Sequence, residues 1–193
     1  MRERLKKVAL IIFNYDRCVE VFLLQALQNY YTIDEPEALE LLKEVEIHHP
    51  YGVVGALPGL GAGTAAAFGA TVQAEQLLQI SREIKTFTEG TDNSASHIRR
   101  IRELMSKCHR IVFLGFAYHQ LNMQLLFNTP SGLPPLGSRK IYGTALGLSD
   151  SDKTIVTEEL SQYAETPVDC VQLRNDLTCS QLFKDYWRSM SIQ

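Results

Sequence analysis

The chain has no apolar run near the roughly 20 residues that a membrane-crossing helix needs, so no membrane span is expected. It also lacks an excess of charge. Its 19 basic and 22 acidic residues leave a net charge of -3, which gives no general drive towards nucleic acid or an anionic membrane. Cys18, Cys108, Cys170 and Cys179 lie far apart and match no zinc spacing, and they read as reduced thiols of a cytoplasmic protein. The basic opening, Met1 to Lys7, leads into one short apolar strand and then polar residues, which is not the pattern of a signal peptide. No internal repeat and no low-complexity tract is present. What remains is 193 residues, 45% of them hydrophobic, enough for a sizeable core. One domain over 1–193 is expected, with 58–92 as an insertion or helical subregion.

The most informative stretch runs from Val8 to Asp16. An unbroken apolar run without alternation suits a strand buried on both faces, as in a parallel sheet. It ends in a polar group, Asn14 and Asp16, where an open α/β sheet places its ligand crevice. Two readings stay open. Either these side chains face a ligand, or Asp16 caps the next helix and Asn14 satisfies a turn.

Further along, residues 18–31 read as a helix with Val19, Phe22, Leu23, Ala26, Leu27 and Tyr30 on one stripe. Asp34 caps a second helix with Pro36 in its first turn. Strand character returns around Glu46 to His49, and again at Val53 to Leu57. Pro58-Gly59-Leu60-Gly61-Ala62-Gly63 precedes an alanine-rich helix expected from Thr64 to about Ser81. Gly61, Gly63 and Ala66 satisfy a degenerate dinucleotide fingerprint, against the reading of an insertion loop. Residues 90–94 form a loop and helix cap. The helix that follows buries Ala95, Ile98, Ile101, Leu104 and Met105 and leaves Arg99, Arg100 and Arg102 mostly on a solvated face. Arg110 to Gly115 is a buried strand, and Phe116 to Asn122 is its exit loop. A short helix covers Met123 to Phe127, and 128–138 is a proline- and glycine-rich loop. Lys140 to Gly143 is a strand, a helix spans about Thr154 to Tyr163, and Val168 to Leu173 is a last strand. The final helix carries Cys179, Leu182, Phe183, Tyr186, Trp187 and Met190 on one side, as core or subunit interface.

Strands alternate with helices, which predicts an α/β fold: Rossmann-like and three-layered, a mostly parallel sheet with helices on both faces. Three strands end in polar or glycine-containing turns, at Asn14–Asp16, Gly115–Asn122 and Gly143–Thr144. Parallel neighbours would bring such turns to one crevice.

Phe13-Asn14-Tyr15-Asp16, His49-Pro50-Tyr51-Gly52, Leu114-Gly115-Phe116-Ala117-Tyr118-His119 and Ile141-Tyr142-Gly143-Thr144-Ala145, in this order, resemble the sirtuin-like (silent information regulator) NAD-binding family. The likeness spans most of residues 8–150 and is to the divergent bacterial branch of uncharacterised and defence-associated proteins. It implies that Asn14 and Asp16 face the nicotinamide ribose. It places Tyr51 and Gly52 where the family has its His-Gly motif, so His49 or His48 is the nearby base, with His119 another. It gives the adenosine half to Gly115, Ala117, Gly143 and Thr144. The implied chemistry is cleavage of the nicotinamide–ribose bond, in which positive charge builds on the ribose and a carboxylate and a base assist. Asp16 and His49 are the catalytic candidates.

The chain departs from the family in two places. The glycine loop that cradles phosphates should precede Val8, but no glycine stands there, so a member without its N-terminal phosphate-loop segment is expected. The residue before Gly52 is Tyr51, where the family has histidine. Expected, then, is a domain binding NAD, ADP-ribose or a similar nucleotide-type small molecule, with an NAD glycohydrolase-type activity as its enzymatic form. The alternative is a non-catalytic assembly module of the same fold. A homo-oligomer is expected, with no membrane and no nucleic-acid partner.

Overall fold

The apolar run after Val8 pairs with the strand that follows the second helix. β1 (Ala9–Ile11) lies parallel to β2 (Glu46–His48), with Ala9 opposite Glu46 and Ile11 opposite His48. The ladder continues one bond further, Ile12 N donating to the His48 carbonyl at 2.8 Å. The structure, a computed structural model, describes residues 2–60, 64, 66–85, 96–127 and 139–191. The chain divides into two compact units, Met1–His97 and Ile98–Gln193.

In the first unit a short helix, α1 (Arg2–Leu5), precedes β1. Two helices join β1 to β2. α2 (Cys18–Tyr31) has the bounds the sequence leads one to expect, and Thr32 ends it in the left-handed region at φ 54°. Its apolar stripe is rotated from the expected one. Phe22 and Tyr30 are 69% and 81% exposed. Leu23, Leu24 and Leu27 are half-buried, and Glu20 is the buried residue of the helix. Neighbouring helix positions lie about 100° apart, so a stripe that starts one residue later faces elsewhere. α3 (Glu35–Leu42) starts as its caps dictate: Asp34 accepts from Glu37 N at 3.0 Å and Pro36 sits in the first turn. It buries Ala38, Leu41 and Leu42, and α2 packs on it. Ala9 is exposed and Leu10 and Ile11 are half-buried, short of burial on both faces; among the described residues β1 pairs with β2 alone.

The expected strand at Val53–Leu57 is absent. Ala56 alone bonds across to Thr64 and Ala66. The expected helix from Thr64 also starts late. α4 (Ala74–Arg82) follows an extended Gln73, and Gly69 upstream is left-handed at φ +73°, which interrupts a helix. Ala66 therefore opens no helix, and Gly61 and Gly63 lie outside the described residues, as do the loops at 90–94 and 128–138 and Ala95.

The second unit is a three-stranded sheet in the order β3 (Arg110–Phe113), β4 (Lys140–Thr144), β5 (Val171–Arg174), all parallel. Helices α5 (Ser96–Lys107), α6 (Gln120–Leu126) and α7 (Asp150–Tyr163) alternate with the strands. A 3-10 turn at Val168–Cys170 leads into β5. Ile98, Ile101, Met123, Ile141, Leu160 and Leu182 form the heart of this core. Arg102 is structural here. It donates to the Leu125 and Gln124 carbonyls at 3.0 and 2.9 Å, at the end of α6. Arg139 closes two helix ends at once, donating to the carbonyls of Ser106, Cys108 and Ala164 at 2.8, 3.2 and 2.9 Å.

The final helix is broken. α8 (Cys179–Asp185), held by a Thr178–Gln181 capping box, stops at Tyr186, and α9 (Trp187–Met190) follows. Leu182 is fully buried, while Phe183 and Trp187 are 47% and 71% exposed. The described residues thus form a mixed α/β fold with two small parallel sheets. No helix among them is long and apolar enough to cross a membrane.

Candidate functional site

The predicted site residues fall into two groups, one in each unit. In the first unit, Asn14, Asp16, His49, Tyr51 and Gly52 lie just past the carboxyl ends of β1 and β2. Asn14 and Asp16 are exposed. The Asp16 carboxylate accepts the Cys18 amide at 3.0 Å in a turn just ahead of α2, whose N-cap position is Arg17. That bond, with a second from the Cys18 thiol, holds the Asp16 carboxyl below the usual carboxylate range. The same pairing pushes the Cys18 thiol up. The turn between them is fixed by Tyr15. Its carbonyl accepts Val54 N at 2.8 Å, and its hydroxyl donates to the Lys85 carbonyl at 2.9 Å.

His49 lies behind this turn with both ring nitrogens engaged. Nδ1 is 3.0 Å from the Asn14 carbonyl oxygen, and Nε2 is 2.7 Å from Glu20 Oε1. Burial alone would lower its pKa, but the bonds to Glu20 and Asn14, helped by the Asp16 charge, win and raise it. To serve as a base towards a ligand, His49 must give up one of these bonds. His48 bonds Glu46 at 2.9 Å. Tyr51 is buried edge-on to Phe13, with ring centroids 5.8 Å apart, and burial pushes its hydroxyl pKa up. Gly52 has φ +84°, and a Cβ there would lie 1.8 Å from the Glu83 carbonyl oxygen. Its need for glycine therefore comes from the chain after α4.

Two residues missed in the sequence complete this group. Glu20 is 8% exposed. Its signal was available, because 20, 23, 24 and 27 share one helix stripe and a carboxylate on an apolar stripe needs a partner. Arg17 is 7% exposed. It donates to the Ala66 carbonyl, and its guanidinium lies 5.9 Å from the Phe68 ring centroid.

In the second unit, Gly115, Ala117, His119, Gly143 and Thr144 lie at the ends of β3 and β4. Gly115 is left-handed at φ +60°, with open space where a side chain would stand. Its amide donates to Thr144 Oγ1 at 2.9 Å, and the Thr144 carbonyl accepts the Tyr118 hydroxyl at 3.0 Å. Thr144 is thus buried and turned inward. Gly143 makes room for the Tyr118 hydroxyl and for Leu173. Ala117 and His119 are exposed, and His119 caps α6 by accepting Leu121 N. Gly115, Ala117 and His119 are the exposed members of this group.

The order β3-β4-β5 runs in sequence without the reversal that marks a ligand crevice in open sheets. The cysteines are free. Among the described residues no three His, Cys, Asp or Glu side chains cluster as metal ligands would. Comparison with protein-family models, with curated proteins and with solved structures finds no match to this chain.

Proposed function

We propose that the chain is a sirtuin-like α/β protein that binds a nucleotide-type ligand, NAD or ADP-ribose, with Asn14 and Asp16 facing a ribose. The observation that carries this reading is the exposure of these two side chains past a parallel strand, on a turn fixed by Tyr15 and His49. An amide and an ionised carboxylate match the donors and acceptors of ribose hydroxyls. A Rossmann-like three-layer architecture and a cytoplasmic location belong to the same proposal.

The described residues fit a ribosyl group better than a diphosphate. The start of α2 is taken by the Asp16 carboxylate, which repels phosphate, and the start of α6 is capped by His119. Bound NAD would supply the nicotinamide–ribose bond, whose cleavage builds positive charge on the ribose. Asp16, held ionised, suits that charge. His49 is committed on both nitrogens, so binding without turnover is the expected behaviour.

The test is a thermal-shift titration with NAD and with ADP-ribose, followed by analysis of the NAD sample for free nicotinamide. A dose-dependent rise in Tm, lost in Asn14→Ala, supports the site. No rise at millimolar ligand removes it.

A second reading is a non-catalytic assembly module. It is favoured by Phe183 and Trp187, large apolar side chains exposed four residues apart beside Ser180 and Lys184. Light scattering tests it: a homo-oligomer that Trp187→Glu dissociates is expected, and a monomer at high concentration excludes it.

A further inference from the structure

The ligand reading leaves Glu20 without a role. Oε1 of its carboxylate lies 2.7 Å from His49 Nε2, and Oε2 is buried without a hydrogen-bond partner. A buried carboxylate is costly unless donors satisfy it, and this one rests on a single donor. That donor is itself committed elsewhere, because His49 Nδ1 faces the Asn14 carbonyl at 3.0 Å. A carbonyl only accepts, so Nδ1 keeps its proton whatever the charge of the ring. A neutral His49 then turns the lone pair of Nε2 on the Glu20 carboxylate. A proton on Nε2 converts that contact into a charge-assisted bond and satisfies both neighbours at once.

Three segments meet at this ring: the turn after β1, the first turn of α2 and the end of β2. We infer that Glu20 is a positioning residue: through protonated His49 it latches the Asn14–Asp16 turn, so that a ligand held there binds the protonated state more tightly. This rests on the ribose reading of that turn. The surrounding charges agree with it. Glu20 from α2 and Asp16 from the turn both favour the charged ring. Arg17, at the start of α2, is turned to the Ala66 carbonyl and Phe68. Cys18 bonds Asp16, and on β2 His48 is bonded to Glu46.

The experiment is an NMR titration of the full chain, following the His49 ring together with the Asp16 and Cys18 amides. ADP-ribose affinity is measured by calorimetry at each pH. His49 is expected to titrate above the usual histidine range, and the two amides to shift with the same midpoint. ADP-ribose affinity is expected to fall by up to about tenfold per pH unit beyond it. Glu20→Gln keeps an acceptor but removes the charge, so it lowers all three midpoints together. A His49 midpoint at or below the usual range, amides that ignore it, or a flat affinity profile overturns the latch. If Glu20→Gln does not fold, the wild-type titrations decide. If ADP-ribose binds at no pH, the ribose reading fails, and the ring and amide midpoints still test the latch on their own.

Discussion

Gly143 and the hydroxyl of Tyr118 compete for one space: a Cβ on Gly143 would lie 2.4 Å from that oxygen. Tyr118 cannot easily retreat. It is buried and left-handed at φ 54°. Its ring packs edge-on against Phe113 and Phe116 at 5.6 and 5.3 Å, and its hydroxyl donates to the Thr144 carbonyl. Burial pushes that hydroxyl's pKa well up, so it remains a donor at any working pH.

Gly143→Ala is therefore expected to cost about 2 kcal/mol by overpacking. Gly115→Ala, which meets open space, should cost only the left-handed backbone strain, about 1 kcal/mol. Urea unfolding midpoints of the two variants check the ranking. Equal losses would mean that Gly143 is not a packing glycine.

Gly52→Ala combines a left-handed φ with a collision against the Glu83 carbonyl oxygen. Its expected cost is about 3 kcal/mol, the larger of these glycine effects. A variant of near-native stability would show that the chain after α4 does not rest on Gly52.

The His49–Glu20 pair sets the response to alkali. The folded pKa of His49 is raised, so its contribution is full below the unfolded value of about 6.5. The contribution is lost as pH rises through the folded value. Stability measured by urea unfolding should decline over that window in wild type and stay flatter in His49→Gln.

Asp16 acts in the opposite direction. Its folded pKa is lowered, so its contribution is present above about 3.9. It fades as pH falls through the folded value. The side chain is exposed and the effect accordingly small. Asp16→Asn should flatten the acid limb of the same unfolding profile.

Much of this fold is legible in the sequence, and the failures have physical causes. α3 could be read from Asp34 and Pro36 because caps act locally. β3 and β4 could be read from short apolar runs. The face of α2 could not, because apolar residues surround most of that helix and tertiary packing chooses among them. The late start of α4 depends on a left-handed Gly69, which composition alone does not announce. Gly143 and Gly52 each have a near neighbour that a Cβ would meet, and these neighbours are distant in sequence.

Arg139 binds carbonyls at the ends of both α5 and α7, and its own carbonyl accepts the hydroxyl of the buried Thr166 at 2.8 Å. One side chain thus joins two helix ends that would otherwise fray separately. Their slow-exchanging amides should open as one cooperative event with a single free energy, and Arg139→Met should split that event into two.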